Sequence, residues 1–271
     1  INNTSEVGKS RGVTCLSLND LNRKLLSDLD VVIEISHLII CPQIKKYLRE
    51  DALVILWSQH AHDEPEMQDL SRESVQEIYD YFFLVSKWQR DKYVAYFGIN
   101  PDKAIVMENG VAPCFLDTFS DSGKIRDNKT WPPVIAYTST PYRGLNLLVE
   151  IFPIIRQAVP DIKLKVFSSM QIYQVGESKD NFQWLYQQCR DTAGIEYVGA
   201  LPQPELAERM REVTALVYPN TFPETSCIAV AEAMACGCRI VTSDLGALSE
   251  TTAGFAELVK VDGDWQNYVT E

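Results

Sequence analysis

Two glutamates mark where this chain can do chemistry. Glu224 and Glu232 stand in the stretch Asn220-Thr221-Phe222-Pro223-Glu224-Thr225-Ser226-Cys227-Ile228-Ala229-Val230-Ala231-Glu232-Ala233-Met234-Ala235-Cys236-Gly237. Glu232 is surrounded by small and apolar residues, so the helix expected there is buried on most sides. A carboxylate in such a place is costly unless something hydrogen-bonds it. Ligand hydroxyls would do so; an ion pair with an Arg or Lys is the other reading. Eight residues of helix would separate the two carboxylates by about 12 Å along the axis. That span suits a ligand with hydroxyls at both ends and an anion between them. The anion would rest on the free N–H groups of Thr225, Ser226 and Cys227 at the helix start. Thr225 or Ser226 is expected to cap this helix and Gly237 to end it.

A second stretch, Tyr137-Thr138-Ser139-Thr140-Pro141-Tyr142-Arg143-Gly144-Leu145, reads as a strand end, a proline turn and a helix beginning at Gly144. An arginine at a helix N-terminus faces the positive dipole end unless the two share an anion. Arg143 therefore reads as a diphosphate clamp aided by the amide of Gly144, or else as a solvated arginine. His60 and His62 follow the strand that ends at Trp57, at the carboxyl edge where ligands of α/β sheets sit. Their spacing invites zinc, but no third ligand has suitable spacing, so no metal is expected. His37 follows a strand without other signs of chemistry.

Alternating elements must position these residues. Strands are expected at 12–17, 30–35, 52–57, 81–86 and 104–107, with helices at 20–27, 42–50, 66–79 and 87–97. Residues 1–11 are expected to be loose. After a connection rich in Pro, Gly and polar residues, strands are expected at 134–138, 163–168, 195–198, 215–218 and 239–242. Helices are expected at 144–158, 181–190, 204–212 and along the glutamate stretch. Such alternation implies parallel sheets covered on both faces. The domain reading is 1–118, a linker at 119–133, and 134–271.

Glu224, seven intervening residues and Glu232, preceded by a buried strand and a Phe-Pro-Glu turn, resemble the acidic signature of the retaining glycosyltransferases of family 4. So do Tyr81 to Ser86, Tyr96 to Ile99, and Asn109-Gly110-Val111, which are similar to the passage closing that family's first domain. The resemblance implies the GT-B fold: α/β, with two Rossmann-like domains whose parallel sheets face a central cleft. It implies that Glu224 contacts the sugar of a nucleoside-diphosphate sugar and Glu232 its ribose, with backbone amides on the diphosphate. It places a His near the reacting end of that sugar: His60, with His62 as the alternate. Arg143 takes the place of the family's Lys before Gly, and the family's preceding Arg falls on Tyr137. The family's first strand, glycine-rich loop and last helix are not recognisable, so the chain is expected to be shortened at both ends. Attack on the front face of the sugar, without a side-chain nucleophile, metal or cofactor, is implied. The acceptor would be a carbohydrate, a lipid-linked or a small molecule, with peripheral membrane contact through it, in glycan or polysaccharide synthesis.

Composition narrows the alternatives. The 271 residues allow two domains, and 46% hydrophobic with 23% charged residues describe a folded chain. A formal net charge of -12 argues against nucleic acid as a partner. The odd count of seven cysteines, most in apolar runs, fits reduced thiols and a cytoplasmic setting. Triplets starting at Asn2, Asn3 and Asn128 are read as unglycosylated. A NAD-dependent oxidoreductase would need a Gly-x-Gly-x-x-Gly turn, which is lacking. A GT-B remnant that binds nucleotide sugars or acts as a scaffold without catalysis is the other alternative.

Overall fold

The computed structural model describes residues 8–10, 12–119 and 121–261. The chain forms two compact units, one through Glu108 and one from Asn109. This division falls ahead of the linker expected at 119–133, because Phe115 is fully buried in the core of the second unit. Lys129 also anchors that segment, donating to the carbonyl of Cys236 at 2.7 Å. Among the described residues, no helix is long and apolar enough to cross a membrane.

The first unit opens with a hairpin, β1 (Gly8–Ser10) antiparallel to β2 (Val13–Cys15), where a strand of a parallel sheet was expected. Its sheet is four parallel strands in sequence order: β3 (Val31–Ile35), β4 (Leu53–Ser58), β5 (Tyr81–Leu84) and β6 (Ala104–Val106). Val54, Leu56, Phe82 and Leu84 bury one face. The expected cover on both faces is not found here: Val31, Ile33, Ile35, Leu53, Tyr81 and Ile105 are exposed. The helix Lys87–Phe97 matches its expected bounds, since Ser86 caps its start and Gly98, left-handed at φ 71°, ends it. The helix expected at 66–79 is instead a 3-10 segment, Pro65–Ser71, and a short helix, Glu73–Gln76. Arg72 is extended between them, and the Gln76 amide donates to the carbonyls of Leu70 and Phe97. Those bonds replace the ladder a continuous helix would have made.

The second unit has six parallel strands, β7 (Val134–Tyr137), β8 (Lys163–Val166), β9 (Ile195–Tyr197), β10 (Ala215–Tyr218), β11 (Arg239–Ser243) and β12 (Ala256–Val259). Their spatial order is β12-β11-β10-β7-β8-β9. The chain runs outward from β7 through β8 to β9, returns to β10 on the other side of β7, and continues outward to β12. The order reverses between β7 and β10, and the crevice beyond their carboxyl ends is where such sheets take ligands. The loops after these two strands carry Arg143 and Glu224. The parallel sheets of the two units, with helices between their strands, make this an α/β fold, as expected.

Candidate functional site

Two glycines let the loops of the switch point approach each other. Gly144 sits at φ 97°, before the helix Leu145–Ala158, and a Cβ there would stand 2.8 Å from the carbonyl carbon of Pro219 and overlap its oxygen. Gly246, in the loop after β11, sits at φ 62°, and a Cβ there would be 2.7 Å from the carbonyl carbon of Pro223. The close approach lets Glu224 form a parallel bridge with Gly246, and Ala247 N–H donates to the Glu224 carbonyl at 2.7 Å. Between these clamps the fully buried Asn220 folds the loop, its Oδ1 accepting from Phe222 N–H at 3.0 Å.

Glu224 is almost wholly covered, its side chain 6% exposed, and Arg143, at 20%, lies over it in an ion pair. The Arg143 Nη1 and the Tyr218 hydroxyl both donate to Glu224 Oε1, the latter at 2.5 Å. The Arg143 guanidinium also lies 4.8 Å from the centre of the Phe222 ring and 5.6 Å from that of Tyr142. Burial works against its charge, but the carboxylate of Glu224 outweighs this and raises the pKa further above its usual value. Tyr137, where the family's arginine was looked for, is fully buried and donates to the carbonyl of Thr140 at 2.7 Å, pinning the turn that leads to Arg143. Burial raises its pKa well above 10, so it stays a neutral donor.

The helix bearing Glu232 runs Ile228–Ala235 and starts later than expected. Its first flanking residue is Cys227, with extended backbone at φ −113° and ψ 93°. The N-cap position therefore falls on Cys227 and not on Thr225 or Ser226, and Glu224 just before them is held in the bridge to Gly246. The amides opening the helix belong to Ile228, Ala229 and Val230, and the Cys227 side chain does not cap them. Burial pushes the Cys227 thiol up to about 12, so it remains protonated. The axial spacing expected between the glutamates does not apply, since residues 224–227 are not helical.

Glu232 is 9% exposed. Among the described residues no Arg or Lys pairs with it. Its partner is the amide of Gln203, Nε2 to Oε1 at 3.2 Å. Burial raises its pKa from 4.5 to about 6, with Gln203 partly opposing the shift.

His60 and His62 belong to the first unit and differ sharply. The loop after β4 is held by the helix Lys87–Phe97: the His60 carbonyl accepts from Gln89 at 2.7 Å and from the Tyr93 hydroxyl at 2.9 Å. The His60 ring pairs through Nδ1 with Glu64. His62 packs edge-on against Tyr96 at 5.1 Å, and its buried Nδ1 has no hydrogen-bond partner. The bond to Glu64 raises the His60 pKa, burial opposes it, and the charges of Glu64 and Glu66 add to the rise. A His whose folded pKa exceeds its unfolded value, about 6.5, adds stability that is full below that pH and lost as pH rises through the folded pKa. His60→Gln is therefore expected to be less stable than the parent near pH 6, with the gap narrowing at higher pH. Melting curves across pH 5.5–9 check this; a gap independent of pH would deny the charged pair.

Sequence spacing pointed to Glu224, Glu232, Arg143 and Gly144, and the structure brings Arg143, Gly144 and the Glu224 loop together. Tyr218, Gly246, Gln203 and Glu64 were missed. Gly246 left the clearest signal, in the Asp244-Leu245-Gly246 turn after a strand.

The profile of the family described as glycosyl transferases group 1 matches residues 132–269. A phosphatidyl-myo-inositol mannosyltransferase of Mycobacterium tuberculosis (strain CDC 1551 / Oshkosh) is 30% identical over 148 residues, 53% of this chain and 36% of that protein. The matched stretch thus spans about a third of the length of this curated relative. The solved glycosyltransferase from Rickettsia africae ESF-5 resembles the fold with a TM-score of 0.58 at 15% identity, covering 83% of this chain and 66% of that one. Anabaena Alr3699/HepE, solved in complex with UDP and glucose, gives 0.61 at 14% identity, covering 84% and 62%.

Proposed function

The chain belongs to the glycosyl transferases group 1 family, and from that premise we propose that it moves a sugar from a nucleoside diphosphate to an acceptor with retention of configuration. The observation that carries this reading is the meeting of Arg143 and Glu224 across the crevice where the strand order reverses. A cation and a carboxylate lie together beyond the strand ends where such sheets take ligands. In the proposed reaction the diphosphate draws the Arg143 guanidinium off Glu224, and the carboxylate turns to the sugar hydroxyls. Arg143 and the amides of Ile228 to Val230 stabilise the charge that builds on the leaving diphosphate. Glu232 takes the ribose hydroxyls. His60 is the first unit's candidate for a part in the transfer step, and the bonds of its carbonyl to Gln89 and Tyr93 hold its loop in place. No divalent metal and no covalent sugar–protein intermediate are part of the proposal.

The relative's name supports a lipid-linked acceptor as the first to try. Seven free cysteines, five of them buried, fit a reducing cytoplasmic setting. Calorimetric titration with UDP, GDP and ADP, with and without EDTA, is the test. One of them is expected to bind at a single site, unaffected by EDTA, and the matching sugar nucleotide to be hydrolysed or its sugar transferred. Binding without turnover would mark a nucleotide-sugar-binding module instead. Failure of all three nucleotides to bind would overturn the donor site.

A further inference from the structure

Tyr218 ends β10 inside an apolar run, and its ring is almost fully buried. Its hydroxyl nonetheless has two polar neighbours, Glu224 Oε1 at 2.5 Å and Ser139 Oγ at 3.4 Å. A carboxylate only accepts, so the tyrosine proton points to Glu224 and the Ser139 hydroxyl donates to the tyrosine. A relay thus runs from Ser139, in the loop after β7, through Tyr218 to Glu224, in the loop after β10. It crosses the switch point without using Arg143. The Tyr137 ring packs against that of Tyr218, 5.8 Å away between centres and tilted by 48°. Burial holds the phenol neutral, so it remains a donor through the working pH range.

Arg143 is the other donor to Oε1, but it is a long, partly exposed side chain, and the proposed function takes it away to the diphosphate. We propose that Tyr218 is a positioning residue for donor-sugar recognition: its hydroxyl keeps Glu224 Oε1 fixed when Arg143 leaves, so that Oε2 meets a sugar hydroxyl. This rests on the donor-site reading above. A phenol held by its ring has little freedom to follow the ligand, which suits the role of fixing a carboxylate in one orientation.

Tyr218→Phe removes the hydroxyl and leaves the ring packing. The test compares two affinities by calorimetry, that of the best-binding nucleoside diphosphate and that of the same nucleotide carrying its sugar. The variant is expected to bind the nucleoside diphosphate within about twofold of the parent. The sugar nucleotide should bind roughly tenfold more weakly, in line with loss of a hydrogen bond to a charged group. In a Glu224→Gln background, Tyr218→Phe should add little further loss, because both act on one contact. Equal losses for the two ligands, no loss for either, or losses that simply add would each overturn the positioning role. Melting curves of the variants separate a packing effect, which lowers stability without changing the ratio of affinities. If the parent protein binds neither ligand, the donor-site reading itself fails and this proposal falls with it.

Discussion

Gly144→Ala is expected to lower the unfolding free energy of the second unit by about 3 kcal/mol and to abolish measurable nucleotide binding. Two costs combine. A non-glycine residue held at φ 97° costs on the order of 1–3 kcal/mol. The added methyl also overlaps the carbonyl of Pro219, an overlap of backbone with side chain that no rotamer relieves. Overpacking of this sort costs about 1–3 kcal/mol more. Relief requires Gly144 and its neighbour Arg143 to move away from the loop that begins at Pro219, and with them the proposed diphosphate clamp. A misplacement of about 1 Å in positioning groups costs about a hundredfold. Gly254→Ala is the control: its φ is 83°, but a Cβ there meets nothing within 4 Å. The control bears the conformational cost alone, so the difference between the two variants isolates the collision. Urea unfolding of both, with a nucleoside diphosphate titration of each, measures it. If the two variants were equally stable, the tight approach of the loops would not be a determinant of the site.

This contact between distant loops is what a linear reading cannot supply. The strands Val134–Tyr137 and Ala215–Tyr218 and the helix Lys87–Phe97 were legible, because apolar runs, a serine cap and a stopping glycine are local signals. The helix expected at 66–79 was lost to Gln76, whose amide is bonded to Phe97, a residue far along the chain. The helix Leu248–Thr252 and the strand Ala256–Val259 were not anticipated, since each is short and lacks a pronounced period. In the site, the glutamate stretch and Arg143 stood out by residue type and flanking pattern. Their pairing spans 81 residues and left no trace in spacing. Tyr218 was hidden in the apolar run that made its strand recognisable, since periodicity reports burial and is silent about a hydroxyl. The expected caps Thr225 and Ser226 fell short by one or two residues, since the helix starts at Ile228, after a stretch that is tied to the distant Gly246.

Glu232→Gln is expected to move stability and affinity in opposite directions. The folded protein holds Glu232 with a pKa of about 6, above its ordinary 4.5, because burial disfavours the charge and only the Gln203 amide offsets it. For a carboxyl group raised in this way, the stabilising form is the protonated one. Its contribution is full below the unfolded pKa and is lost as pH rises through about 6. By pH 7.5 the parent has given up about 2 kcal/mol, which glutamine, having no charge to bury, does not lose. The variant should therefore melt higher than the parent at pH 7.5, with the two converging toward pH 4.5. Binding runs the other way. If the charged carboxylate takes two ribose hydroxyls, glutamine weakens nucleoside diphosphate binding by about 1.5–3 kcal/mol, the scale of hydrogen bonds to charged groups. Parent affinity should also fall as pH drops below about 6, where Glu232 protonates, and the variant's should not follow. A purely structural carboxylate predicts the reverse: the Gln203 contact would be what matters, its disturbance would lower the melting temperature, and affinity would stay unchanged. Melting curves and calorimetry at pH 5.5 and 7.5 on both proteins distinguish the two. A lowered melting temperature at pH 7.5 with unchanged affinity would remove Glu232 from the ribose site, whereas a raised one with weakened binding would mean that the fold tolerates an unfavourable buried charge because the ligand needs it.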